Sequence, residues 1–211
     1  NTTKAVSLKY QVSWPGADVM NAQNAGDAAN RVAYYGVSSV PYGRVDAVEI
    51  ANDCSAYAGA PACLNQAEIT TANAITSPFT INLIHWLNAA NDSIYINCEI
   101  TCTQNITMVT PKIRVALMEK TITLTNPPAG SNGETVFYNV MRKMYPTANG
   151  TTVAGAWTVG QKKTISFKEK IPTYIYSKPQ LAVVAWVQDD SNKDIKQAGY
   201  SGSPGTPLAL A

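Results

Sequence analysis

From Phe79 onward the chain places apolar residues at every second position, and this period of two commits most of its length to antiparallel β-structure. Phe79, Ile81, Leu83 and His85 alternate with Thr80, Asn82 and Ile84. Across an Asn91-Asp92 turn, Ile94, Ile96, Cys98, Ile100 and Cys102 then share one face of a second strand. Ile113 to Ile122, Lys163 to Lys170 and Leu181 to Gln188 read as further strands, with a return near Asp194 to Tyr200 across DDSNK. Such a series builds an antiparallel sandwich. One stretch breaks the pattern: Val136, Phe137, Val140, Met141 and Met144 recur at three and four, which predicts a short amphipathic helix over Glu134 to Met144, stopped by Tyr145-Pro146.

The first third has a different texture. Val6, Leu8, Tyr10 and Val12 share one face of a predicted strand over Ala5 to Val12, and Trp14-Pro15-Gly16 turns the chain. A short helix is expected over Asp27 to Tyr35, opened by an Asp cap and ended by Gly36. Val45, Val48 and Ile50 lie in an expected hairpin, and Glu68 to Ile75 has helical spacing closed by Ser77-Pro78. One or two strands and two short helices leave a sheet face and edge uncovered. The apolar face of the first strand is therefore expected to be covered by an upstream segment, a partner protein or the sandwich itself.

Tyr34 to Pro41, YYGVSSVP, followed by Arg44-Val45-Asp46, resembles the cis-proline corner of a thioredoxin-like fold, and the resemblance implies a cis Val40-Pro41 bond. The chain contains no Cys-x-x-Cys, which in the thioredoxin order precedes the strand at Ala5 to Val12. VSLKYQVSWPGADVMN, RVAYYGVSSVPYGRVDA, IRVALMEK, GSNGETVFYNVMRKMYP and VAWVQDDSNKDIKQAG, in this order, resemble the outer-membrane-protein-28-related family of secreted and surface proteins of Bacteroidetes. The resemblance implies an α+β part followed by an all-β part. Residues 1–77 would be the C-terminal part of a thioredoxin-like domain, residues 78–200 an immunoglobulin-like antiparallel β-sandwich, and residues 201–211, SGSPGTPLALA, a linker. It also implies export, often with a sorting domain read by the type IX secretion system.

Charge separates the two parts. Residues 1–110 carry 4 Lys/Arg against 8 Asp/Glu, whereas residues 111–211 carry 12 against 6. The net charge of +2 and the scattered basic residues provide no electrostatic drive toward nucleic acid. No apolar run approaches the ~20 residues of a membrane helix, and no basic-plus-apolar leader begins at Asn1, so the chain reads as mature or as a piece of a longer protein.

The cysteines are Cys54, Cys63, Cys98 and Cys102. Cys54 and Cys63 flank a short SAYAGAPA loop, a natural disulfide staple in an exported protein. Cys98 and Cys102 cannot bond on a regular strand, since four steps of ~3.3 Å exceed the ~7 Å that a disulfide tolerates. His85, the single histidine, lacks an acidic or nucleophilic motif near it and reads as structural. Asp189, Asp190, Asn192 and Asp194 loosely match a calcium loop but lack its Gly and bidentate Glu, so DDSNKD reads as a solvated turn. Trp14, Trp86, Trp157 and Trp186 suit either a glycan-stacking surface or a core. Asp92-Ser93-Ile94 resembles the O-glycosylation sequence of Bacteroidetes exported proteins, making Ser93 a candidate modification site. Asn1, Asn91, Asn105 and Asn149 head N-glycan sequons.

No Gly-rich phosphate loop, G-x-S-x-G or paired-carboxylate motif is present, and no metal or cofactor is implied. The expected role is a non-catalytic structural or interaction module at the outer membrane or cell surface. The alternatives are an oxidoreductase remnant with its redox cysteines upstream and a glycan-binding module.

Overall fold

In the computed structural model, residues 5–51, 53–54, 56–127 and 132–205 are described; the Asn1 sequon and the last six residues of the expected linker lie outside them. Helices α1 (Val19–Gln23) and α2 (Ala25–Tyr35) come first, then the hairpin β1 (Arg44–Val45) and β2 (Val48–Glu49), and α3 (Gln66–Ala74). Ten strands follow: β3 (Phe79–Leu87), β4 (Ser93–Cys102), β5 (Ile106–Thr107), β6 (Pro111–Thr123), β7 (Val136–Tyr145), β8 (Thr151–Thr152), β9 (Ala156–Trp157), β10 (Lys162–Lys170), β11 (Leu181–Asp189) and β12 (Asp194–Ser201).

Two antiparallel sheets face each other. One has the order β10-β4-β3; the other has β12-β11-β6-β7, with β8 also on β6. Ile94, Ile96, Cys98, Ile100 and Cys102 of β4 meet Ile113, Val115 and Leu117 of β6 and Leu181, Val183, Ala185 and Val187 of β11 in one core. Burying each large side chain there is worth about 1.5–3 kcal/mol. Gly199 lets β12 approach β3 at the sandwich margin, since a Cβ there would stand 2.6 Å from Ile81 Cγ2.

A third layer covers the outer face of the second sheet. Ala28 of α2, with Val6, Leu8 and Tyr10, packs on Ala116, Met118, Met141, Met144, Ala182, Val184 and Trp186. This second contact buries all nine residues of β11, so LAVVAWVQD is continuously buried where a one-sided strand would alternate. The chain's own sheet thus covers the first apolar stripe.

Three local expectations need correction. Residues 5–12 form no strand: one parallel bridge joins Lys9 to Val140, through Lys9 N–H on Asn139 O and Met141 N–H on Lys9 O, both 2.8 Å. Pairing extends no further because β7 is irregular there, with Asn139 at φ 53 and a register shift opposite Leu117/Met118. The same irregularity explains the second correction, since Glu134 to Met144 holds no helix and from Val136 onward belongs to strand β7. Across that shift Leu117 pairs with Lys143 and Met118 with Met141, leaving Arg142 extra. The bulge puts Met141 and Met144, three apart, in one cluster and so imitates a helical period. Third, α2 is preceded by Asn24 without a side-chain cap, and Asp27 sits in its first turn, accepting Met144 N–H at 2.9 Å. Gly36 does end the helix, in the left-handed region at φ 67.

Two helix starts lie outside the sequence expectations: Asp18 caps α1 through Asn21 N–H, and Asn65 and Glu68 form a reciprocal capping box that opens α3 at Gln66, ahead of the expected Glu68. The β1–β2 hairpin turns through Asp46 and Ala47, both at positive φ. No helix among the described residues is long and apolar enough to cross a membrane.

Candidate functional site

The C-terminal end of α2 rests on a cluster of guanidinium and aromatic groups. Arg31, only 2% exposed, has its guanidinium carbon 4.3 Å from the Tyr34 ring centre, 4.8 Å from that of Tyr35 and 5.9 Å from that of Trp186. Its Nη2 reaches Gln188 Oε1 at a long 3.4 Å, while Nε and Nη1 find no partner among the described residues. Ring faces thus replace a carboxylate around this cation. Beside it, Arg114 grips Asp190 and Gln188, and Tyr34 donates to Asp190 Oδ1 at 2.8 Å. Burial raises the Tyr10 phenol to about 12, so it is neutral. For Asp190, burial pulls upward, but hydrogen bonds from Arg114 and Tyr34 leave its pKa below the ordinary value.

From this seat the chain runs into the Pro41 loop. Val40-Pro41 is cis, as are Trp14-Pro15 and Tyr145-Pro146. The Cys54–Cys63 disulfide closes a loop over it, with Cα atoms 5.2 Å apart. Tyr57 of that loop donates its hydroxyl to Pro41 O at 2.6 Å. Gly43 N–H reaches Gly59 O at 2.7 Å, and Gly59 N–H reaches Ile50 O at 2.8 Å. Gly59, at φ 83, lies flat against Tyr42, whose ring would be 2.3 Å from an added Cβ. The lobe's own core contains Ile50, Ala60 and Cys63, with Val45 against them. Helix α3 buries none of its residues, and Val48 is 70% exposed.

The remaining reactive groups lie apart from this lobe and have partners or deep burial. Cys98 and Cys102 are free thiols in the sandwich core, and burial raises Cys98 to about 12, which keeps it protonated. His85 is fully buried with Nδ1 2.7 Å from Ser201 Oγ; burial, then Lys120, lowers it to about 4, so it is neutral. Asp189 accepts the N–H groups of Val109, Thr110 and Ser191. Burial works against its charge, yet those bonds hold its carboxyl well below the usual range. With Asp190 held by Arg114 and Asp194 by Lys196, the three carboxylates do not converge as calcium ligands. Trp86, Trp157 and Trp186 are buried core residues. Ser93 starts β4, is 7% exposed and donates to Asp92 Oδ1 at 2.8 Å. Asp53 approaches Cys54 and Cys63, but both sulfurs are taken by the disulfide.

Sequence reasoning missed the buried cations. Arg114 and Arg142 interrupt apolar strands, and each is 1% exposed. Arg142 Nε lies 3.1 Å from Glu119 Oε2, its Nη2 donates to Tyr174 O and Gln23, and Glu119 Oε1 accepts Ser177 N–H. Burial raises the pKa of Glu119 and lowers that of Arg142. An arginine flanked by valine and isoleucine, as in Ile113-Arg114-Val115, was the available signal.

The sequence signature of the family described as Outer membrane protein Omp28 matches residues 28–199. No curated protein matches the sequence. Among solved structures, HBP35 of Porphyromonas gingivalis superposes with a TM-score of 0.62 at 13% identity, over 92% of this chain and 64% of that one. The chain therefore spans less than two thirds of that relative, and the likeness is one of fold. A domain of the outer membrane lipoprotein Omp28 from Porphyromonas gingivalis aligns over 62% of this chain and 91% of that domain at 9% identity, with a TM-score of 0.37.

Proposed function

Because this chain belongs to the outer membrane protein Omp28 family, we propose that it is a non-catalytic structural or interaction module of an exported protein at the outer membrane or cell surface. The match over residues 28–199 carries the reading, because it includes both the Pro41 lobe and nearly all of the sandwich. An oxidised Cys54–Cys63 pair fits a compartment outside the cytoplasm. In this reading residues 1–77 are a partial thioredoxin-like segment and residues 78–200 an immunoglobulin-like sandwich. The sparsely packed Pro41 lobe is the part available to a protein partner, and the sandwich is its rigid support.

The cis Pro41 loop favours one second reading, a thiol-disulfide oxidoreductase part whose redox cysteines lie upstream. Two measurements separate the readings. Protease shaving and amine labelling of intact producing cells should reach the lobe, and protection equal to that of a cytoplasmic marker rules out a surface module. The chain alone should leave insulin unreduced in the presence of dithiothreitol above the reagent's own rate. Turnover by the chain would favour the second reading.

A further inference from the structure

We propose that the Cys54–Cys63 disulfide is a redox-sensitive latch that keeps the Pro41 loop covered. The cover consists of three contacts from one short loop: Tyr57 Oη on Pro41 O, Gly59 O on Gly43 N–H, and Gly59 N–H on Ile50 O. Among the described residues, little else holds that loop in place. Its apolar attachment is Ala60 and Cys63 against Ile50 and Val45, with Gly59 against the Tyr42 ring, and the following helix α3 buries no side chain. Further ties are exposed polar bonds, Asn65 to Asp53 at 2.6 Å and Ala51 N–H to Glu68 at 3.1 Å. Covalent closure across a sequence separation of nine restricts the open ensemble and supplies what the small core does not.

The latch is reachable from one side. Cys54 is exposed while Cys63 is 2% exposed, so an external dithiol attacks Cys54 Sγ and Cys63 leaves as the thiolate, which takes up a proton. The reductant's second thiol then attacks the mixed disulfide. Cys54 leaves, the reductant closes to its cyclic disulfide, and two electrons have passed to the protein as two cysteine thiols. The covering loop opens, and Pro41 O, Gly43 N–H and Ile50 O lose their partners. The sandwich has no bond at stake, since Cys98 and Cys102 are already thiols.

The test is amide hydrogen exchange by mass spectrometry on the whole chain in three states: oxidised, reduced by dithiothreitol and alkylated, and the Cys54→Ser/Cys63→Ser variant. Peptide mapping first establishes that alkylation is complete at Cys54 and Cys63 and absent at Cys98 and Cys102. Peptides holding Gly43 and Gly59 should exchange at least about tenfold faster in the reduced and Ser/Ser states, with β4, β6 and β11 unchanged. Tyr57→Phe with the disulfide intact should give a smaller change over the same peptides. Unchanged exchange at Gly43 and Gly59 after full reduction overturns the proposal. So does an equal acceleration across the sandwich, which would make the bond a global staple.

Discussion

Arg114 and Asp190 meet as a fork, with Nη1 2.7 Å from Oδ1 and Nη2 2.8 Å from Oδ2. Tyr34 of α2 donates to the same Oδ1, so a helix side chain completes an ion pair formed by two strands' ends. Asp190→Ala leaves Arg114 buried without its carboxylate and should cost about 2–4 kcal/mol in urea unfolding, whereas Tyr34→Phe, which removes one hydrogen bond, should cost about 1. A loss below about 1 kcal/mol for Asp190→Ala would mean that Gln188 and water suffice for the guanidinium.

Arg31 should behave differently although it is buried nearby. Its desolvation is offset by ring faces and a long hydrogen bond to Gln188, with no carboxylate paired to it among the described residues. Arg31→Met keeps most of the volume and removes the buried charge, so its stability should fall within about 1 kcal/mol of the parent, on either side. A loss above about 3 kcal/mol would show that the cation–π contacts outweigh desolvation here.

His85 sets a pH dependence of definite sign. Its pKa is near 4 when folded, because burial and then Lys120 oppose its charge, and about 6.5 when unfolded. The unfolded chain therefore binds the proton first, and stability present above pH 6.5 is lost as pH falls toward 4, by on the order of 3 kcal/mol. Melting curves from pH 7.5 to 4 should decline less steeply for a folded His85→Gln variant. Parallel curves for variant and parent would remove His85 as the cause.

Two glycines distinguish strain from crowding. Gly150 has φ 70, and an added Cβ would stand 2.7 Å from both Ile113 O and Arg114 Cγ. Gly160 has φ 83 with nothing within 4 Å of that position. Gly160→Ala should cost about 1 kcal/mol and Gly150→Ala at least about 2, read from the same unfolding curves. Equal costs would mean that the chain near Arg114 yields freely.

The alternation in Phe79–Leu87 and Ser93–Cys102 made those strands legible, because a sheet with one face on a core imposes a period of two on its own residues. The Cys54–Cys63 pairing was legible from its short loop, and the end of α2 from Gly36, since both are local properties of a few neighbouring residues. The β7 bulge was not legible: its three-residue spacings become strand spacings only when a partner strand leaves Arg142 unpaired. Nor was the fate of Val6, Leu8 and Tyr10, whose period announced an apolar face without saying what covers it. The clustering of Arg31, Tyr34, Arg114 and Asp190 joins positions far apart in the chain. Local sequence thus determined the periods, caps and turns through short-range sterics and solvation. Tertiary structure alone decided which charges are paired, which strand carries the bulge and what lies over Pro41, because each depends on contacts between distant segments.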